Sequence, residues 1–213
     1  MTKTWHDQLR SKNREELLEV GKKLFLVKGF VNVSIKDVCA LAGVSRVTFY
    51  KHFQSLDELI FEVQMDILQH MTHYLKNTDT PESTGRARLQ AMLEAWVDFG
   101  RLYAEHLRFI LLFDLHFHAY ETNKELKERY EQFIHSQKEE HFLNAALEAG
   151  IEDGSLKEEL NVLETGHFIF TTMMGLLHKL SLTPVTDDGD ELLHYTTFGD
   201  RFIALIIQSL SRA

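Results

Sequence analysis

Residues 45–52 set Ser45, Arg46, Val47, Thr48, Tyr50, Lys51 and His52 around Phe49. These residue types suit contact with double-stranded DNA. An Arg reads guanine, a Val or Thr methyl meets the thymine methyl, and Ser, Thr, Tyr and Lys hold phosphates. On a helical wheel of about 100° per residue, Phe49 and Phe53 share the face that would anchor the segment. Val47, Thr48 and Lys51 point away from that face, with Arg46 and Tyr50 on a flank. Each side chain has an ordinary alternative, Arg46 and Lys51 as solvated charge and Tyr50 as packing. Their concentration on one short helix behind a turn is what points to nucleic acid.

The preceding residues supply the turn. In Lys28-Gly29-Phe30, Gly29 can take a left-handed conformation that closes a first helix, and Phe30 can pack back on it. Ser34-Ile35-Lys36-Asp37 has the form of a capping box, with Asp37 favoured by the helix dipole. Ile35, Val38 and Ala42 form an inward face, Gly43 breaks the helix, Val44 packs into the bend and Ser45 caps the next helix. Residues 34–53 therefore read as helix, tight turn, short helix.

The rest of the chain reads as all-α. Leu17, Val20, Leu24 and Phe25 recur at helical spacing, as do Leu89, Met92, Trp96 and Val97. Pro81 and Pro184 both sit in polar connectors, and no sustained strand alternation appears. The spacing predicts helices near 12–28, 35–42, 46–52, 56–77, 86–103, 106–119, 123–149, 161–181 and 190–210. The 213 residues suffice for one large domain or for a small one joined to a medium one. No apolar run approaches a membrane span, the N-terminus lacks an apolar signal segment, and Cys39 has no second cysteine to pair with. A cytoplasmic protein without membrane contact is expected.

Charge is unevenly divided in a chain of net charge −9. Residues 1–53 hold ten Lys and Arg against five Asp and Glu, whereas 54–213 hold thirteen against twenty-seven. A basic head on an acidic body confines contact with a polyanion to the head.

The run SIKDVCALAGVSRVTFYKHFQSLDELI resembles the DNA-binding signature of TetR-type transcriptional regulators: a capped helix, Ala-Gly-Val-Ser, a short helix with Thr-x-Tyr, a terminal Phe, then Ser-x-x-Glu-Leu. The resemblance covers roughly Asn13 to Ile60. It implies a helix-turn-helix DNA-binding domain at 1–55, with its motif at 34–53, and an effector-binding and dimerisation domain at 56–213. It also implies a ligand-responsive repressor binding a palindromic operator as a homodimer, a small-molecule effector, no cofactor and no enzyme activity. Ser34 would touch phosphate as well as cap. The family usually carries a small residue where Val47 stands, which implies an altered base preference. It often carries Lys where Leu56 stands, so one phosphate contact is expected to be missing. Lys3 and Arg10 stand either for a minor-groove arm or for a frayed terminus.

In the body, Trp96, Phe99 and Tyr103 share one helix face, and Phe109, Phe113, Phe117 and Tyr120 another. These are candidates to line an effector pocket, with plain core as the alternative. Asp114, set among Leu112, Phe113 and Leu115, would be costly to bury unpaired and is a candidate for a cationic ligand. The resemblance places the dimer interface on the last two helices. Phe198, Phe202, Leu205, Ile206 and Ser209 form a stripe there, and Gly166, Thr172 and Gly175 allow close approach. A monomer core would produce the same stripe. The competing class is a metal-binding helical bundle or enzyme using Glu164-x-x-His167 and Glu191-x-x-His194, with His70 and His73 on one face. Composition alone yields about one Glu-x-x-His pair, so two are a weak motif. His116-x-His118 diverges on a helix.

Overall fold

The computed structural model describes residues 5–117, 124–139, 141–182 and 195–212. Ten α-helices follow in chain order: α1 Trp5–Lys28, α2 Ile35–Ala42, α3 Arg46–Tyr50, α4 Leu56–Lys76, α5 Gly85–Leu102, α6 Ala104–Phe117, α7 Lys124–Glu139, α8 Asn144–Glu152, α9 Val162–Ser181 and α10 Tyr195–Leu210. A 3₁₀ turn at Phe30–Asn32 links α1 to α2. The all-α expectation holds, and the described residues form no strand beyond an isolated bridge between Leu156 and Ser211.

Two expected helices change. The first begins at Trp5 rather than near residue 12, so Arg10 lies within α1; Lys3 lies outside the described residues. The helix expected over 123–149 is two helices, α7 and α8, separated around His141–Leu143. Phe142 and Leu143, in the connection between them, are both buried. Tyr120, His118, Pro184, Glu191 and His194 lie outside the described residues.

The chain divides into two compact units, 1–67 with 109–130, and 68–108 with 131–213. In the first, α1 packs on α2 and α2 on α3. Its core includes Leu17, Phe25, Phe30, Val38, Phe49, Phe53, Leu59 and Phe61. Phe109 lies 6.2 Å from Phe25 and 5.5 Å from Phe30, ring centre to ring centre. Phe61, Phe113, Phe117 and Tyr130 form a second aromatic group, with Phe61–Phe113 at 5.0 Å and Phe117–Tyr130 at 5.2 Å. Lys22 Nζ reaches Asp66 at 2.9 Å, tying α1 to α4.

In the second unit α5 packs against α8, α9 and α10. The start of α5 meets α8 so closely that a Cβ on Gly85 would stand 1.9 Å from the nitrogen of Gly150. Asp153 closes the junction by accepting from the Gly85 N–H at 2.7 Å. The Arg88 guanidinium donates to both carboxylate oxygens of Asp79 at 2.7 and 2.8 Å, and this bonding holds the Asp79 carboxyl below its ordinary range.

Because the obstacle at Gly85 is backbone, side-chain repacking cannot relieve it. Gly85→Ala is expected to destabilise the protein by about 3 kcal/mol, at the upper end of ordinary overpacking. A lowered urea midpoint with an unchanged slope checks this.

Candidate nucleic-acid interface

The α2–α3 segment is built from local hydrogen bonds that its sequence specifies. Ser34 Oγ accepts from the Asp37 N–H at 3.3 Å, and Asp37 Oδ2 accepts from the Ser34 N–H at 2.9 Å, completing the expected capping box. Hydrogen bonding from Ser34 lowers the Asp37 carboxyl. Gly43 ends α2 in the left-handed conformation, φ 65° and ψ 26°, where only glycine is free of strain. Gly29 also has a positive φ of 73°, but its ψ of 135° lies outside the left-handed helical region expected for it. Ser45 caps α3 by accepting from the Thr48 N–H at 3.1 Å.

Phe49 and Phe53 are 0% and 1% exposed, so the anchoring face is where the helical wheel places it. On the other side Val47 is 69% and Tyr50 55% exposed. Ser34, Ser45, Arg46 and Lys51 are exposed, while Thr48 and His52 are half-buried. The Tyr50 ring stands edge-on to Phe49 at 5.6 Å, fixing its aim while leaving its far end in solvent. Among the described residues neither Arg46 nor Lys51 is ion-paired. Two cations, a phenol, two hydroxyls and an apolar tip thus lie along one short exposed helix. Ser34 differs from its neighbours because its hydroxyl and its N–H both face Asp37. A phosphate there would meet that carboxylate first.

Two carboxylates in the first turns of α4 and two arginines from other helices belong to this region, although only the capping pattern at 55–58 signals any of them in sequence. Ser55 accepts from the Glu58 N–H at 3.1 Å, and Glu58 Oε2 from the Gln54 N–H at 2.6 Å. Arg129 on α7 donates to Glu62 at 2.7 Å and approaches Glu58 at 3.4 Å, and Arg14 on α1 pairs with Glu62 at 3.0 Å. The hydrogen bond to Glu62, with the two carboxylate charges, raises the Arg129 guanidinium above its ordinary value.

The seven candidate pocket residues do not form one chamber in either unit. Phe109, Phe113, Asp114 and Phe117 belong to the first, and Trp96, Phe99 and Tyr103 to the second. Phe109, Phe113, Trp96 and Phe99 are buried in ring-to-ring contact; Phe117 and Tyr103 are half-buried. Tyr103 packs on Phe99 at 4.8 Å, His70 at 5.0 Å and His106 at 5.2 Å. Asp114 is exposed on α6 rather than buried, because its position faces away from the row of Phe109, Phe113 and Phe117. Neighbouring protein still strips enough water from its carboxyl to push it up to about 6. A groove of about 720 Å³ in the second unit is lined by other residues, among them Arg86, Glu94, Lys157, Asp200, Ile207 and Arg212.

Of the interface candidates, Phe198 and Leu205 are exposed on α10, Phe202 is half-buried, Ile206 is buried, and exposed Ser209 donates to the Ile206 carbonyl at 2.8 Å. Gly175 on α9 is exposed, with open space where a Cβ would stand. Leu163 and Phe168 on the same helix are exposed at 62% and 57%, a signal the stripe on α10 alone did not supply. Among the described residues no group of three or more His, Cys, Asp or Glu side chains could hold a metal ion.

The family model of the bacterial regulatory proteins of the tetR family matches residues 17–63, which run from the middle of α1 through α2 and α3 into the first turns of α4. The HTH-type transcriptional repressor KstR2 of Rhodococcus jostii is 22% identical over 160 residues, 72% of each chain. The HTH-type transcriptional activator FasR of Mycolicibacterium smegmatis is 28% identical over 90 residues, 42% of this chain and 41% of its own. Among solved structures, a tetR-family regulatory protein from Rhodococcus RHA1 superposes with a TM-score of 0.67 at 13% identity, covering 95% of this chain and 98% of that one. FadR of Bacillus subtilis, solved with stearoyl-CoA, gives a TM-score of 0.67 at 14% identity, covering 92% and 98%. At these identities the structures establish a shared fold.

One buried group has a pH consequence. His141 stacks on Phe142 at 4.4 Å, and burial, aided by the charges of His167 and Lys76, lowers it from 6.5 to about 4. Between those values the unfolded chain binds a proton that the folded chain refuses, so this group's contribution to stability is lost as pH falls from about 6.5 to about 4. The limiting slope for one proton is about 1.4 kcal/mol per pH unit. His141→Phe is expected to flatten the pH dependence of the urea midpoint in that window relative to the unsubstituted protein.

Proposed function

Because this chain belongs to the TetR family of bacterial regulatory proteins and is a DNA-binding transcriptional regulator, we propose that it acts as a ligand-responsive repressor, binding a palindromic operator as a homodimer. The observation that carries this reading is α3 itself: unpaired Arg46 and Lys51 with exposed Val47 and Tyr50, held over the buried pair Phe49 and Phe53. In this reading residues 1–55 are the DNA-binding domain and 56–213 the effector-binding and dimerisation domain, in a cytoplasmic protein.

Arg46 and Val47 are the base readers. Ser45, Thr48, Tyr50, Lys51 and His52 hold the backbone, with Ser34 at the edge of the contact. Two copies of α3 must enter successive major grooves about 34–36 Å apart. The exposed apolar residues Phe168, Phe198 and Leu205 support pairing through α9 and α10. A small molecule bound in the body weakens operator binding if it favours a dimer with a different spacing between the two copies of α3. The aromatic helices α5 and α6 are the elements proposed to receive it, and the likeness to a regulator solved with stearoyl-CoA supports an apolar effector. The name of the R. jostii relative supports repression.

Selection of bound sequences from a random duplex pool at fixed moderate salt tests this. An inverted repeat should be enriched by the native protein and lost in the Arg46/Tyr50/Lys51 triple-alanine variant. No enrichment by a folded protein, with or without candidate apolar ligands, would overturn the operator reading. With the selected site in hand, Tyr50→Ala is expected to weaken binding by about 1–3 kcal/mol with an unchanged circular dichroism spectrum. Lys51→Ala is expected to lower the slope of log K against log salt by about one.

A further inference from the structure

Glu58 and Glu62 stand one turn apart on α4, a spacing at which like charges repel. Both are mostly covered, with side chains 16% and 17% exposed, so their burial requires partners. The partners come from two other helices. Arg129 of α7 reaches both carboxylates, and Arg14 of α1 takes the second oxygen of Glu62 while its guanidinium lies 5.1 Å over the Phe53 ring.

The network ends on the backbone that follows α3. Glu58 uses one oxygen for Arg129 and the other for the Gln54 N–H, the residue next to the anchor Phe53. Arg129 therefore connects α7 through a single carboxylate to the chain leaving α3. Phe49 and Phe53 hold α3 down by apolar burial, which is non-directional. Its tilt needs a directional restraint, and these hydrogen-bonded charges supply one at its C-terminal exit.

We propose that Arg129 is a positioning residue for operator binding, which bridges Glu58 and Glu62 to set the angle at which α3 is presented to DNA. The proposal rests on α3 being the DNA-reading helix. A bridging role demands a forked donor, so Lys is a poor substitute. Arg129 acts through Glu58 and Gln54 and removes no phosphate contact when truncated.

The test uses the full-length protein and the duplex recovered by selection. Arg129→Ala should bind about tenfold more weakly, with an unchanged circular dichroism spectrum and an unchanged salt slope, in contrast to Lys51→Ala. Arg129→Lys should recover little of the loss. In a Glu58→Gln, Glu62→Gln background, which keeps an acceptor for the Gln54 N–H, Arg129→Ala should have no further effect. Wild-type affinity in Arg129→Ala would overturn the proposal, as would a salt slope lowered by about one, which marks a direct phosphate contact. A loss that persists in the double-Gln background would overturn it too. If the native protein selects no duplex at all, the DNA reading fails first and the positioning role with it; binding by the native protein with an indifferent variant removes the positioning role alone.

Discussion

A helix of five residues has no stability of its own, since helices shorter than about 12–15 residues are marginal in water. The surface proposed to read DNA is such a helix, Arg46–Tyr50, and it persists because Phe49 and Phe53 are buried beneath it. Three local features of the head position the helix for that burial. Ser45 satisfies an amide at the start of α3, Gly43 lets the chain turn back sharply, and the Ser34–Asp37 box fixes where α2 begins. Side chains that must stay unpaired for a ligand contribute nothing to folding, so the cost of ordering them falls on the two phenylalanines.

The same economy governs charge. An acidic chain gains nothing from carboxylates beside a helix proposed to read DNA, yet Glu58 and Glu62 stand on the next helix. Arg14 and Arg129 neutralise them locally, which leaves Arg46 and Lys51 to present their charge outward. The counterion effect that dominates protein–DNA affinity depends on such unshared cations. A positive surplus over 1–53 is therefore only a first indication, because some of its members are spent within the head: Lys22 on Glu19 and Asp66, and Arg14 on Glu62.

How much was legible in the sequence depends on how local each interaction is. The segment 34–53 could be read almost residue by residue because its caps, its turn glycine and its anchor spacing all act over three or four positions. The break between α7 and α8 carries no Gly or Pro, the residues by which a helix end is usually read from sequence. Asp114 could not be assigned an exposure from its apolar neighbours in sequence, since adjacent residues on a helix face different ways. The pairing of Arg129 with Glu58 spans 71 positions and has no local signal.

The aromatic run of α5 and α6 shows how one composition can serve two ends. Phe109 and Phe113 pack with Phe25, Phe30 and Phe61, inside the same unit as α3, whereas Trp96 and Phe99 pack with residues of the other unit such as Phe142, Phe170 and Tyr74. A ligand shifts an equilibrium only by its difference in affinity for the two states. Displacing Phe109 or Phe113 would disturb the core of the head directly and couple strongly to DNA binding. A ligand seated against Trp96 meets a different situation. The Trp96 N–H and the His141 Nε2 are both buried without a partner among the described residues, while His141 Nδ1 accepts from the Leu143 N–H at 3.4 Å. That bond leaves Nε2 as the protonated nitrogen of a neutral ring, so this part of the interior holds two unmet donors. An acceptor-bearing group supplied there would be bound by chemistry that an all-carbon core lacks. Helices α4, α6 and α7, each with residues in both units, are the covalent links between the two.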